Sequence, residues 1–221
     1  MQIEPVAYFR SPLPEKFGLP RQAGVAASLR GTVVLEPPFR APEALRGLEG
    51  FDFLWLIWGF HLHKETASEG LTVRPPRLGG NERVGVFASR SPYRPNPLGL
   101  SSVRIERIDA DAGEIHVLGA DLADGTPIFD IKPYVEYADS HPGVRSGFVD
   151  GRAWRPLEVI FPGEAGQELE PAELDALKEL LAQDPRPPYQ EDPGRIYGLS
   201  FAGRNVRFRV SEGVLTVIEI N

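Results

Sequence analysis

Short runs of branched and aromatic residues follow one another along most of this chain with no long helix between them, and this spacing constrains the fold most. Val6–Phe9, Gly31–Leu35, Phe53–Trp58 and Val84–Ala88 read as strands, because such side chains suit a pleated, half-buried surface. Leu100–Ile108 alternates, with Val103, Ile105 and Ile108 set among polar residues. A turn-prone stretch at Asp109–Gly113 and the run Glu114–Leu118 then predict a hairpin. Pro42–Leu48 predicts a short helix. A parallel sheet needs a crossover helix between successive strands, and that rhythm is missing. No Gly-x-Gly-x-x-Gly follows an early strand, and Leu78–Gly79–Gly80–Asn81 is only a glycine turn. Rossmann and P-loop nucleotide sites are therefore unsupported. The expected fold is mainly β, an antiparallel barrel.

A change of pattern marks a second unit. Ser140–Trp154 contains Pro142, Gly143, Gly147 and Gly151 with little apolar periodicity, as expected of a linker. After it, Leu157–Phe161 reads as a strand and Pro171–Ala182 as a helix, with Leu174, Leu177, Leu180 and Leu181 on one face and proline at its start. Ile196–Phe201, Val206–Val210 and Val214–Ile220 read as closing strands, the last two joined by a turn at Ser211–Glu212–Gly213. The expected division is a barrel over residues 1–140, a linker over 141–154 and a small α+β domain over 155–221.

The longest apolar stretch, Phe51–Phe60, is about half of the ~20 residues that span a bilayer. No basic region leads into an apolar run at the N-terminus, so no signal peptide is expected. Cysteine is absent, which excludes disulfides, thiolate catalysis and cysteine-ligated metal. These features predict a soluble, cytoplasmic chain. The formal net charge is −7, yet residues 1–100 carry 12 basic and 9 acidic groups, and six arginines face one acid, Glu82, between Arg74 and Arg104. Such a patch suits RNA. An arginine preference across the whole chain, 20 Arg to 4 Lys, explains it equally well.

Taken one at a time, the polar motifs leave their roles open. In Arg90–Ser91–Pro92–Tyr93–Arg94–Pro95–Asn96–Pro97–Leu98–Gly99, three prolines fix φ and remove backbone donors, which rules out a central strand. A loop this stiff loses little entropy on meeting a ligand. It is either a rigid connection or a binding loop presenting two guanidinium groups and an amide. Asp124–Gly125–Thr126–Pro127 reads as a turn, with Asp124 bonding its own backbone and Gly125 at positive φ. His61 and His63 share a strand face, but no ligand cluster accompanies them and no metal is expected. Asp184–Pro185–Arg186–Pro187–Pro188–Tyr189 reads as a helix stop, although its arginine and tyrosine also suit phosphate and base stacking.

Together these pieces resemble the TsaA-like group, also called TrmO, a family of S-adenosylmethionine-dependent tRNA methyltransferases. The resemblance rests on Arg74–Pro75–Pro76–Arg77–Leu78–Gly79–Gly80–Asn81, on Gly85–Val86–Phe87–Ala88–Ser89–Arg90 running into the proline loop, on Asp124 through Tyr134, and on Pro20–Arg21–Gln22. Gln183–Tyr189 is similar to the C-terminal extension of the longer bacterial members. Ser89, Tyr93, Leu98 and Phe129 stand where members often carry Thr, Phe, Ile and Leu, and Lys64–Val73 matches poorly.

The resemblance implies a barrel that binds S-adenosylmethionine without a Rossmann sheet, as a homodimer. It implies methylation of the exocyclic N6 nitrogen of threonylcarbamoyladenosine, the purine just 3′ of the tRNA anticodon. Carried over by position, the cofactor contacts are Pro20, Arg21, Gln22, Ala23, Gly24, Phe60, His61, Arg90, Leu100, Asp124, Gly125, Thr126 and Pro127. Arg74, Arg77, Arg94 and Asn96 are then expected to face the RNA, with Arg186 and Tyr189 gripping the anticodon loop from the C-terminal unit. Because the acceptor nitrogen is part of a carbamoyl group, its lone pair is delocalised, and a base would assist transfer by ~10²–10⁴-fold. Asp124 is a candidate, but the sequence identifies no base. Two rivals remain at this stage: a non-enzymatic RNA-binding barrel, and a methyltransferase acting on a small molecule.

Overall fold

The computed structural model describes residues 2–62, 71–75, 82–151, 155–187 and 192–221. Three strands come first: β1 (Ala7–Arg10), β2 (Arg30–Leu35) and β3 (Phe53–Gly59). The two-residue strands β4 (Thr72–Val73) and β5 (Val84–Gly85) pair with each other. Then come β6 (Leu98–Asp109), β7 (Glu114–Leu118) and β8 (Pro127–Pro133). β1, β2, β7, β6, β3 and β8, in that order, close an antiparallel barrel. Closure leaves no unpaired edge, and the fold is the mainly β antiparallel barrel expected from the strand pattern.

Strand alternation fills the barrel. Ala7 and Phe9, Val33 and Leu35, Leu54 and Leu56, and Ile115 and Val117 point inward and are buried. Two glycines let large rings lie flat against the wall. A Cβ on Gly31 would stand 2.2 Å from the Phe9 ring, and one on Gly99 would stand 2.2 Å from the Trp58 ring.

Three expectations differ from what is found. Val84–Ala88 is a strand only at Val84–Gly85 and then turns into a 3-10 helix, Val86–Ala88. Its ladder has the two residues of β4 as partner, and Val86 is instead tucked in with its N–H on the Leu71 carbonyl. Pro42–Leu48 yields a single turn, α1 (Pro42–Leu45), because Arg46 is extended and Gly47 lies at φ 89°. β8, which closes the barrel between β1 and β3, was missed; prolines bracket it. A second single turn, α2 (Glu136–Asp139), follows β8.

The second sheet runs β10 (Tyr197–Phe201), β11 (Arg204–Ser211), β12 (Val214–Ile220) and β9 (Glu158–Ile160), with β9 parallel to β12. It packs on α3 (Pro171–Ala182), which begins with a capping box between Glu170 and Glu173. The leucine face of α3 is buried as its spacing predicts, through Leu177, Leu180 and Leu181. This core also contains Leu13, Ala26 and Leu29, from the segment between β1 and β2. That segment is a strap lying between the barrel and α3. Gly24 N–H donates to Gly119 O at 2.8 Å, and Gly119 N–H donates to Leu29 O at 2.8 Å. On the other side the Glu179 carboxylate accepts from Ser28 N–H at 2.8 Å and from its hydroxyl at 3.0 Å, and Gln183 Nε2 donates to Val25 O at 3.2 Å. Among the described residues no helix is long and apolar enough to cross a membrane.

Candidate cofactor site

Four chain segments meet at one end of the barrel: the strap, the end of β3, the proline loop before β6 and the turn before β8. The end of β3 and the turn form a cleft of about 370 Å³ lined by Ile3, Gly59, Phe60, His61, Asn96, Pro97, Leu98, Pro127 and Phe129. Its volume falls within the roughly 300–1,000 Å³ typical of small-molecule sites, and its walls are mostly apolar, as such sites usually are. Phe60 N–H donates to Pro97 O at 3.1 Å and its ring meets Trp58 edge-on at 4.3 Å, so the proline loop and β3 hold one wall together. Asn96, expected on the RNA side, lines this same cleft.

The turn has Gly125 at φ 75° as expected, but Asp124 bonds the Ser11 amide rather than its own backbone. Thr126 is buried, its hydroxyl donating to Ala123 O at 2.8 Å and lying 3.4 Å from His61 Nδ1. Asp124 holds the chain leaving β1: Oδ1 accepts from Ser11 N–H at 3.0 Å, and Oδ2 lies 3.8 Å from Arg10.

A second group joins the strap to the proline loop. Arg90 donates to the Gln22 side-chain oxygen. Beneath them lies Asp121, which the sequence did not single out. Trp58 Nε1 donates to Ser101 Oγ at 2.9 Å, and Ser101, 2% exposed, donates to Asp121 Oδ1 at 2.5 Å. Burial pushes the Asp121 carboxyl above its usual range, while the hydrogen bond from Ser101, the charge of Arg90 and the Ala23 amide pull the other way. A signal was available: Ser101 is a polar residue at an inward position of β6, between Gly99 and Val103. Leu100, its neighbour, is 58% exposed and faces outward beside Leu98.

The arginines expected to face RNA differ in freedom. Arg74 is exposed. Arg94 bonds its own loop through Ser89 O at 3.0 Å. Arg186 is clamped on Asp184, Nε to Oδ1 at 2.8 Å and NH2 to Oδ2 at 2.9 Å, and the Asp184 carbonyl accepts from Arg21 at 3.4 Å. Arg186 therefore sits at the seam between α3 and the strap. Arg77, Tyr189 and His63 lie outside the described residues. Among those described, no cluster of three or more His, Cys, Asp or Glu could hold a metal ion.

Comparison with known proteins identifies the family of the two units. Residues 8–140 match the family model of the tRNA-methyltransferase O N-terminal domain, and residues 155–221 match that of the TrmO C-terminal domain. A tRNA (adenine(37)-N6)-methyltransferase of Escherichia coli K12 is 39% identical, with 99% of this chain and 97% of that protein covered. A Pseudomonas aeruginosa protein with the provisional description S-adenosylmethionine-dependent methyltransferase RcsF is 45% identical over 89% of this chain and 87% of its own length. The crystal structure of TrmO from Pseudomonas aeruginosa superposes with a TM-score of 0.80 at 36% identity, covering 100% of this chain and 98% of that one. The chain belongs to the tRNA-methyltransferase O family.

Proposed function

We propose that this chain methylates the exocyclic N6 nitrogen of threonylcarbamoyladenosine beside the tRNA anticodon, with S-adenosylmethionine as methyl donor. The observation that carries this is the meeting of Phe60, His61, Asn96 and Pro127 in one cleft, at the barrel end where Arg90 and Gln22 join strap to proline loop. The residues present fit the cofactor. Phe60, Pro127 and Phe129 offer apolar surface to a purine, and Arg90 presents a planar cation suited to a carboxylate. When bound, the cofactor supplies a sulfonium methyl that is already activated. The protein's part is then mainly alignment and exclusion of water.

Residues 1–140 form the methyltransferase unit of this proposal, 141–154 the linker and 155–221 a C-terminal unit that assists with tRNA, in the cytoplasm. Pro20 to Gly24, Phe60, His61, Arg90, Leu100 and Asp124 to Pro127 surround the cofactor. The exposed aromatics Phe51, just before β3, and Phe53, at its start, suit pairing with a second copy. Most soluble oligomers are symmetric homodimers, so sedimentation equilibrium should give about twice the 24.4 kDa chain mass. A single-chain mass at micromolar concentration counts against the pairing.

Arg74, Arg77 and Arg94 face phosphate in this proposal, with Arg186 and Tyr189 on the C-terminal side. Affinity for tRNA should then fall with salt by about 0.7 log units per contact for each tenfold change. Arg74→Ala should flatten that slope by about one contact and leave cofactor affinity intact. A wild-type slope in that variant removes Arg74 from the interface. The function itself is tested by mass spectrometry of tRNA nucleosides after incubation with chain and cofactor.

A further inference from the structure

Of the described residues lining the cleft, His61 is the one with a titratable side chain. Its neighbour in the hydrogen-bond network favours one ring nitrogen as the holder of the proton. The Thr126 hydroxyl has a single hydrogen, and that hydrogen is directed at the Ala123 carbonyl, 2.8 Å away. Thr126 Oγ1 can therefore only accept from His61, whose Nδ1 lies 3.4 Å from it. A neutral imidazole protonated at Nδ1 has its lone pair at Nε2. The geometry thus suits an Nδ1-protonated ring: a buried threonine, 1% exposed, lies beside an exposed histidine at the cleft.

Asp124 is placed differently. Its carboxylate serves Ser11 and Arg10 at the exit of β1, and it does not line the cleft. Asp121 is turned toward Ser101 and the strap. Imidazole is in general also a stronger base than a carboxylate.

We propose that His61 Nε2 is the general base that removes the N6 proton of the acceptor during methyl transfer, and that Thr126 positions it by accepting from Nδ1. This rests on the function proposed above. As the N6–H bond breaks, the proton passes to Nε2 and its electron pair stays on nitrogen. The N6–methyl bond forms, the methyl–sulfur bond breaks, and its electron pair remains on sulfur as a neutral thioether. The imidazolium returns its proton to water once product leaves.

The test combines two variants with a measurement that does not depend on turnover. In His61→Gln and His61→Ala, kcat should fall by ~10²–10⁴-fold, while the S-adenosylmethionine Kd from calorimetry moves far less. Added imidazole should restore part of the His61→Ala rate, which a purely structural histidine would not allow. A long-range ¹⁵N–¹H correlation spectrum of the wild-type chain without ligand should show His61 protonated at Nδ1, and Thr126→Val should remove that preference. A His61→Gln rate within about fivefold of wild type, no response to imidazole, or an Nε2-protonated ring each overturns the proposal. A wild-type chain that binds cofactor but methylates no tRNA overturns the function and this inference with it. An active wild type with an unimpaired His61→Gln overturns this inference alone.

Discussion

Leu181→Ala should destabilise the folded chain by about 2–5 kcal/mol, the range for removing a fully buried leucine. Leu181 is 0% exposed, and its core joins α3 and the second sheet to Ala26 and Leu29 of the strap. The vacated space therefore opens in the core that α3 shares with the second sheet and the strap. Urea denaturation should show the loss as a lower midpoint. Because Ser28 and Val25 are bonded to Glu179 and Gln183 on the same helix, S-adenosylmethionine affinity should fall as well. A loss under about 1 kcal/mol would mean that the seam closes up around the smaller side chain and that the strap is held from the barrel side.

Asp121→Ala should weaken cofactor binding tenfold or more while leaving tRNA affinity nearly unchanged. Removing the carboxyl takes the acceptor from the Ser101 hydroxyl, and a buried donor left without a partner costs about 1–3 kcal/mol. It also removes the negative charge facing Arg90, so the Arg90–Gln22 link between proline loop and strap loses its support. Asp121→Asn separates the two effects. An amide keeps an acceptor for Ser101 without the penalty of a desolvated charge, so most of the stability should return. The attraction to Arg90 does not return, so affinity should stay below wild type. Wild-type cofactor affinity in a folded Asp121→Ala variant would reduce the Trp58–Ser101–Asp121 chain to core filling.

Much of the barrel was legible because its strands alternate. Phe9, Val33, Leu54 and Ile115 each sit at an inward position flanked by residues that face out. β8 was not legible: Pro127 and Pro133 bracket it, and Asp130 and Lys132 pair with each other at 3.0 Å, so the segment resembles a charged turn. Only a gap between β1 and β3 makes it a strand. The α3 leucines were legible from spacing alone, but the destination of that face was not. Ala26 and Leu29 lie about 150 residues earlier, and no local pattern links them to Leu177 and Leu181. At the site, the contributing segments stood out by motif, because glycine, proline and arginine are conspicuous. Their joint did not, since Asp121 is one acid in the run Gly119–Ala123 and acquires its role when barrel closure brings it under Arg90 and Ala23. His61 is similar: its tautomer depends on Thr126, 65 positions away.

The most direct measurement starts from tRNA that carries threonylcarbamoyladenosine. The purified chain and S-adenosylmethionine are added, and the digested nucleosides are read by mass spectrometry. The proposed function predicts that threonylcarbamoyladenosine is replaced by a product heavier by one methylene, with fragmentation placing the methyl on N6, and that omitting either chain or cofactor abolishes it. Unchanged threonylcarbamoyladenosine from a chain that binds S-adenosylmethionine, or a methyl on any other nucleoside, would contradict it.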